Sequence, residues 1–409
     1  MTDASAAIAN LYVHVPFCAQ KCAYCAFYSE PSGGDLINRY VAALIGELEM
    51  AAGDLQPRTV FFGGGTPSLL NVRQWEAVLR AMERLGLLGA GEFTVECNPA
   101  TVSLDKAKLL RDFGVNRVSM GVQSFDENLL DRLGRIHSRA MVFRSFDVLR
   151  RAGFENINLD LMFAIPTQTM AVWRDSLNEA LAMQSEHLST YEVIYEDDTP
   201  LFHQLRAGEF DVNEELACEM YDEMVSRAAM AGFQQYEVAN FARDKGVSND
   251  ECRMTNGRVE GSLNSSFVIH HSEIPSFACR HNVNYWRGGS FYGLGPSATS
   301  YIRGVRTKNW SNTQLYCEQL EKGQRAIESR EELPPLKRAG ETAAFGLRMT
   351  AGWPFEEFQR TTHFDLRREW SADMEQLAQC GWGEILPAGF RLTRQGLRFA
   401  DAAAELFLR

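Results

Sequence analysis

Between residues 11 and 194 the chain repeats one pattern six times: a short apolar run, then a helical stretch or a long crossover. The runs are 11–13, 59–62, 93–99, 117–123, 157–163 and 187–194, and apolar residues at helical spacing fill 35–53, 72–85 and 104–113 between them. Strands separated by crossovers of this length pair in parallel, so the pattern predicts an α/β fold with a parallel sheet curled into a barrel or most of one. In such barrels the residues that meet ligands stand at the C-terminal ends of the strands. Here those ends carry a cysteine loop, the glycines Gly63, Gly64 and Gly65, then Glu96, Gln123, Asp160 and Glu192, one set per strand. Polar strand ends can serve solubility alone; six in register with a cysteine loop favour a common site.

The loop after the first run holds Cys18, Cys22 and Cys25, spaced Cys-x3-Cys-x2-Cys. Three thiolates so close in sequence can wrap one corner of a cubane [4Fe–4S] cluster and leave the fourth iron without a protein ligand. An open iron can chelate the amino and carboxylate groups of S-adenosylmethionine (SAM), whose sulfonium then accepts an electron from the reduced cluster. Two plainer readings compete. A disulfide framework is disfavoured, because 409 residues can bury a core without staples and no secretory signal precedes the loop. A zinc site would need a fourth ligand, from His14 or a distant cysteine.

Charge narrows the partners. A formal net charge of −12 argues against general nucleic-acid binding, although it leaves room for a local basic pocket that takes carboxylates. The other six cysteines (Cys97, Cys218, Cys252, Cys279, Cys317, Cys380) are scattered, as free thiols in a reducing compartment would be. No apolar run approaches the roughly 20 residues that cross a bilayer, and residues 1–10 read as a loose tail, so a cytoplasmic address is expected.

With Tyr12 six residues ahead of Cys18 and Tyr24 just before Cys25, the cysteine loop resembles that of the radical SAM superfamily. It is most similar to the group holding oxygen-independent coproporphyrinogen III oxidase (HemN) and the heme chaperone HemW. The resemblance implies a partial (β/α)6 TIM-like barrel over 1–304 and a smaller helical, winged-helix-like C-terminal domain over 305–409. It implies a cluster on Cys18, Cys22 and Cys25, with SAM held by Tyr12, Tyr24, Gly64, Gly65, Thr66 and Glu96. Gln123, Arg135 and Asp160 match positions that contact a second SAM in the oxidase, and Gly134-Arg135-Ile-His137 is also family-like. Taken alone, Arg135 and Asp160 could form a structural ion pair, Gln123 could hold loop backbone, and His137 reads as a packed loop histidine.

Further along, Tyr236-Glu-Val-Ala-Asn240-Phe matches a YE-x-x-N-F segment, and His281-Asn-Val-Asn-Tyr285-Trp286 matches an HN-x-x-YW motif associated with HemW-type heme binding. Between them 243–278 reads as an inserted loop, with a short strand expected at 266–269, and it carries Cys252, His270 and His271. By resemblance His281 is an axial heme ligand; by its residues alone it is a buried hydrogen-bonding histidine in the last turn of the barrel. Two departures separate the chain from the oxidase: the barrel begins within a dozen residues of Met1, and Phe27 stands where the oxidase group has a further cysteine. They favour a heme chaperone that delivers heme to acceptor apo-proteins such as respiratory cytochromes. The other reading is radical decarboxylation of coproporphyrinogen III. An electron donor such as flavodoxin or ferredoxin and contact with a membrane periphery are also implied. The C-terminal region is expected to act as a substrate lid or docking surface.

Overall fold

The computed structural model describes residues 7–31, 33–245 and 274–408. At its centre is a nine-stranded sheet in which Ile8–Val15, Leu55–Gly64, Glu92–Cys97, Arg117–Gln123, Ile157–Phe163 and His187–Glu192 run parallel in chain order. Tyr292–Leu294 adds in parallel beyond the first strand, and Asn240–Ala242 pairs antiparallel with the sixth. Among the described residues the two edges do not pair with each other, so the expected partial barrel is an open one of six units. The strand expected at 266–269, Cys252, His270 and His271 lie outside the described residues.

Alternation builds the two faces of this sheet. Val118, Met120 and Val122 belong to the main apolar core, whereas Ser119, Gly121 and Gln123 from the same strand line cavities inside the barrel. The helices Gly34–Ala51, Val72–Arg84, Leu104–Asp112, Arg139–Arg151 and Met170–Ala182 cover the outside. Val72–Arg84 shows why such segments settle as helices. Asn71 and Gln74 form a reciprocal capping box, and Trp75, Val78, Leu79 and Met82 make one buried stripe, with the Trp75 ring 5.0 Å from that of Phe62.

The division expected at 304/305 falls inside continuous packing. The strands Thr299–Ile302, Val305–Asn309 and Ile327–Glu332 form one small sheet, and Tyr316, Cys317 and Leu320 of the helix Thr313–Glu321 are buried in the barrel's own core. A separate core begins with the helix Pro335–Gly346 and closes around Trp353, Phe358, Trp370 and Phe407. Helices there surround a three-stranded sheet of Trp353–Pro354, Gly383–Ile385 and Gly389–Leu392. Two short helices follow one another there, Leu366–Glu369 and Ser371–Gln379. Trp370 leaves helical geometry between them, and its buried indole donates to the Phe407 carbonyl at 3.1 Å.

This domain docks on the antiparallel edge of the sheet. The Val238 amide donates to the Arg348 carbonyl at 3.0 Å, Arg287 lies 4.9 Å over the Trp353 ring, and Arg398 pairs with Asp222. No described residue beyond 332 lines the cavity beside the cysteine loop.

Candidate cluster and SAM site

The cysteine loop leaves the first barrel strand and is fastened on three sides. Phe17–Cys18 pairs with Glu30–Pro31, the Ala23 amide donates to the Leu133 carbonyl at 2.9 Å, and the Leu201 amide donates to Ala23 at 3.0 Å. Cys18, Cys22 and Cys25 are half-buried free thiols on one wall of a cavity of about 670 Å3 at the C-terminal mouth of the barrel. His14 is not poised to join them: Nδ1 lies 3.1 Å from the Tyr12 hydroxyl and Nε2 2.9 Å from the Tyr28 carbonyl, and burial holds its pKa below the usual range. Among the described residues no set of three His, Cys, Asp or Glu side chains converges on a single point as a zinc ion requires. Thiolates that each bind a different iron need not converge.

The glycine loop has a structural task that its sequence did not announce. A Cβ at Gly65 would come within 2.8 Å of the Val15 and Phe17 carbonyls, and one at Gly64, where φ is +103°, would fall on the His14 ring. What approaches these glycines is thus the base of the cysteine loop. The amides confirm the docking: Gly65 donates to the Val15 carbonyl and Thr66 to the Phe17 carbonyl, both at 2.8 Å, and the Thr66 hydroxyl lies 3.5 Å from the Cys18 sulfur.

The remaining strand ends close the cavity. Tyr24, Gly64, Gly65, Thr66, Glu96, Gln123, Arg135 and Asp160 all line it with the three cysteines. Glu96 accepts from the Gly64 amide at 3.2 Å, and its pKa is pushed up to about 8, chiefly by burial and then by the charge of Asp160. Asp160 accepts from the Ser119 hydroxyl at 3.0 Å and the Asn158 amide at 2.7 Å. It makes no ion pair with Arg135, which donates to the Gly121 carbonyl at 2.7 Å and lies 3.4 Å from the Cys22 sulfur. Gln123 sits on a bulge with φ at +65°, a conformation that non-glycine residues hold where the surroundings fix it. His137 packs as expected, its Nε2 3.0 Å from the Val122 carbonyl.

These residues fit the groups that the cysteine spacing calls for. Three thiols on one wall suit a cluster. A buried carboxyl at Glu96 gains a partner if an ammonium lies beside it, and the buried Nε of Arg135, which has no partner, gains one if a carboxylate does.

Tyr12 and His281 are not brought to this cavity. They line a smaller inner chamber beneath it, together with Arg117, Asn158 and Tyr191, residues that the sequence reading had not singled out. His281 is 1% exposed, its Nδ1 is 2.8 Å from the Thr59 hydroxyl and its Nε2 2.7 Å from the Tyr285 hydroxyl. Burial, then the charge of Arg117, pushes its pKa down to about 3. Of the two readings of His281, the geometry has the buried hydrogen-bonding histidine; an iron ligand would have to break one of those bonds.

Similarity to known proteins extends over both domains. The radical SAM superfamily matches residues 12–180 and the HemN C-terminal domain matches residues 333–399. A heme chaperone HemW of Bacillus subtilis is 31% identical over 98% of this chain and 99% of its own, and one of Lactococcus lactis is 33% identical over 86% and 84%. The solved coproporphyrinogen III oxidase HemN of Escherichia coli shares the fold, with a TM-score of 0.79 at 20% identity across 100% of this chain and 91% of that one. With similarity running through both domains, the chain belongs to the HemW family of the radical SAM superfamily.

Proposed function

We propose that this protein is a heme chaperone: it binds heme and hands it to acceptor apo-hemoproteins, respiratory cytochromes among them. The observation that carries the reading is the end-to-end similarity to HemW relatives, which includes the C-terminal domain as well as the barrel. Cys18, Cys22 and Cys25 hold the [4Fe–4S] cluster, Gly64, Gly65 and Thr66 seat the loop against it, and Glu96 and Arg135 offer the charges that receive an amino group and a carboxylate. Gln123 and Asp160 complete the wall around SAM. When bound, the cluster and SAM supply one-electron chemistry, used here to control heme transfer. Phe27 supports this over a decarboxylase, since it leaves an exposed ring at the cavity rim where the oxidase group carries a thiol.

The heme site need not use His281, whose ring nitrogens are both hydrogen-bonded. Among the described residues no helix is long and apolar enough to cross a membrane. We place the protein in the cytoplasm, touching membranes only at the periphery when it meets an acceptor, with a flavodoxin or ferredoxin as electron donor.

The test uses anaerobic protein with its cluster reconstituted. Titration with heme should give a saturable change in visible absorbance, and addition of an apo-cytochrome should move the heme to the acceptor. A parallel reaction with SAM, reductant and coproporphyrinogen III should yield no protoporphyrinogen. Multiple turnovers there would make decarboxylation the main function and overturn the reading.

A further inference from the structure

The inner chamber, about 310 Å3, is walled by all six parallel strands and floored by His281 and Tyr285. It shares Phe27, Gly64, Glu96, Ser119, Asp160 and Tyr191 with the cluster cavity, so the two spaces communicate. Most of its polar wall is internally satisfied. Asn158 donates to the Ser119 hydroxyl and to Asp160, both at 2.7 Å, Ser189 donates to Asn158 at 3.1 Å and to Asn240 at 2.6 Å, and both nitrogens of His281 are taken.

Arg117 breaks this pattern. It stands at the start of the fourth barrel strand, is 2% exposed, and lines the chamber. Its guanidinium makes no hydrogen bond and no ion pair with any described residue, and its Nε is buried without a partner. The acid at the same end of the barrel, Glu92, is committed elsewhere. Its oxygens accept from the amides of Arg280 at 2.7 Å and His281 at 3.0 Å and lie 3.5 Å from the Cys279 sulfur. Glu92 and Asp160 act on Arg117 only through space, and a buried guanidinium without a hydrogen-bonded partner is unusual because desolvation drives such groups to pair.

We propose that the inner chamber is a binding site for a carboxylate, anchored by the Arg117 guanidinium. A planar fork of donors matches a carboxylate in two-point contact. A doubly charged phosphate is disfavoured, because the single Arg117 guanidinium in the chamber balances one negative charge and not two. Space sets the size: 310 Å3 corresponds to roughly ten waters at about 30 Å3 each. The ligand is therefore a free carboxylic acid of amino-acid size, or one propionate arm of a tetrapyrrole whose body lies nearer the mouth. The chemistry at Arg117 is the same in both cases. The inference stands whether or not the protein delivers heme.

The experiment takes cluster-loaded wild type and the variants Arg117→Met and Arg117→Lys. Unfolding midpoints are compared in sodium propionate and in sodium chloride at equal ionic strength, and affinities are compared for protoporphyrin IX and its dimethyl ester. A charge-assisted contact of this kind corresponds to roughly a tenfold to hundredfold preference for the free acid. If the arm is the ligand, wild type prefers protoporphyrin IX to its ester by that factor, Arg117→Met binds the two within twofold of each other, and Arg117→Lys keeps part of the preference. If the small acid is the ligand, propionate raises the wild-type midpoint above that in chloride, Arg117→Met shows no such rise, and the two porphyrins do not differ. Propionate stabilising a protein that binds no porphyrin would sink the heme reading and leave the carboxylate site standing. Wild type indifferent to propionate and to esterification would overturn the site, and that comparison needs no variant to fold. Equal loss of acid and ester in Arg117→Met would overturn it as well, by assigning Arg117 a purely structural role.

Discussion

The two ends of the barrel treat their polar groups in opposite ways. At the mouth, the cysteines are half-buried free thiols, the Nε of Arg135 has no partner, and Glu96 has a single backbone amide against it. At the inner chamber His281 is hydrogen-bonded to Thr59 and Tyr285, and Asn158 to Ser119 and Ser189, whereas the Nε of Arg117 has no partner. Both regions are marked by family motifs in the sequence. The difference teaches that a motif names residues held fixed for some reason, and only the state of their polar atoms separates ligand binding from support.

The comparison breaks most visibly at the cysteines. Replacing any one of Cys18, Cys22 or Cys25 by alanine should abolish cluster incorporation, read as iron and acid-labile sulfide per chain, while the fold measured by circular dichroism persists. Cluster retention at wild-type level would remove the central premise. Gly64→Ala should come next. It places a side chain at a left-handed backbone position and against the His14 ring, for a cost of about 3–5 kcal/mol in chemical denaturation from strain and overpacking together.

At the floor, His281→Ala should destabilise by about 2–4 kcal/mol, because the Tyr285 hydroxyl loses its partner in a buried place, the Thr59 hydroxyl keeps only Asn10, and the ring leaves a cavity. Cluster content should not change. Heme binding lost without any loss of stability would instead give His281 the ligand role and collapse the contrast between the two ends.

A smaller effect sharpens the mouth. Glu96 titrates near 4.5 when unfolded and near 8 when folded, so between those values the folded state holds the extra proton. Stability from this group is therefore full below about pH 4.5 and is lost as pH rises toward 8, at no more than about 1.4 kcal/mol per pH unit. Asp160, raised in the same sense by burial, adds to the slope. Urea unfolding of the ligand-free protein at several pH values should show the decline, and Glu96→Gln should flatten part of it. A slope of opposite sign would mean that Glu96 is ionised and paired in the fold.

The sequence was informative where periodicity and motif coincide. The strand runs at 117–123 and 157–163 match the observed strands residue for residue, since each begins directly after an asparagine and is rich in β-forming apolar residues. It was silent on which polar residue meets which. Arg117, Ser119, Gly121 and Gln123 fall on every second position of one strand, a signal that they share the inner face, yet a charged residue heading a strand carries no local sign that it is buried. Likewise the triple glycine could announce a close approach but not that the approaching group is the cysteine loop itself, which depends on strands pairing at a distance of nearly fifty residues. The packing of 305–332 on the barrel was hidden for the same reason: Tyr316 donates to Glu47 at 2.7 Å across the chain, and no local pattern reports that bond.

The mildest substitution separates the two ends most economically. Phe27 lies at the cavity rim with 69% of its surface exposed, so folding gains almost nothing from it. Phe27→Ser should shift stability by no more than about 0.5 kcal/mol, as surface changes do. A large exposed ring beside a cavity is nonetheless the kind of apolar surface that a flat tetrapyrrole covers. The expected result is a several-fold weaker heme affinity with an unchanged unfolding midpoint, the reverse of the His281→Ala outcome. Heme affinity unchanged in Phe27→Ser and lowered in His281→Ala in proportion to its stability would move the heme away from the mouth altogether.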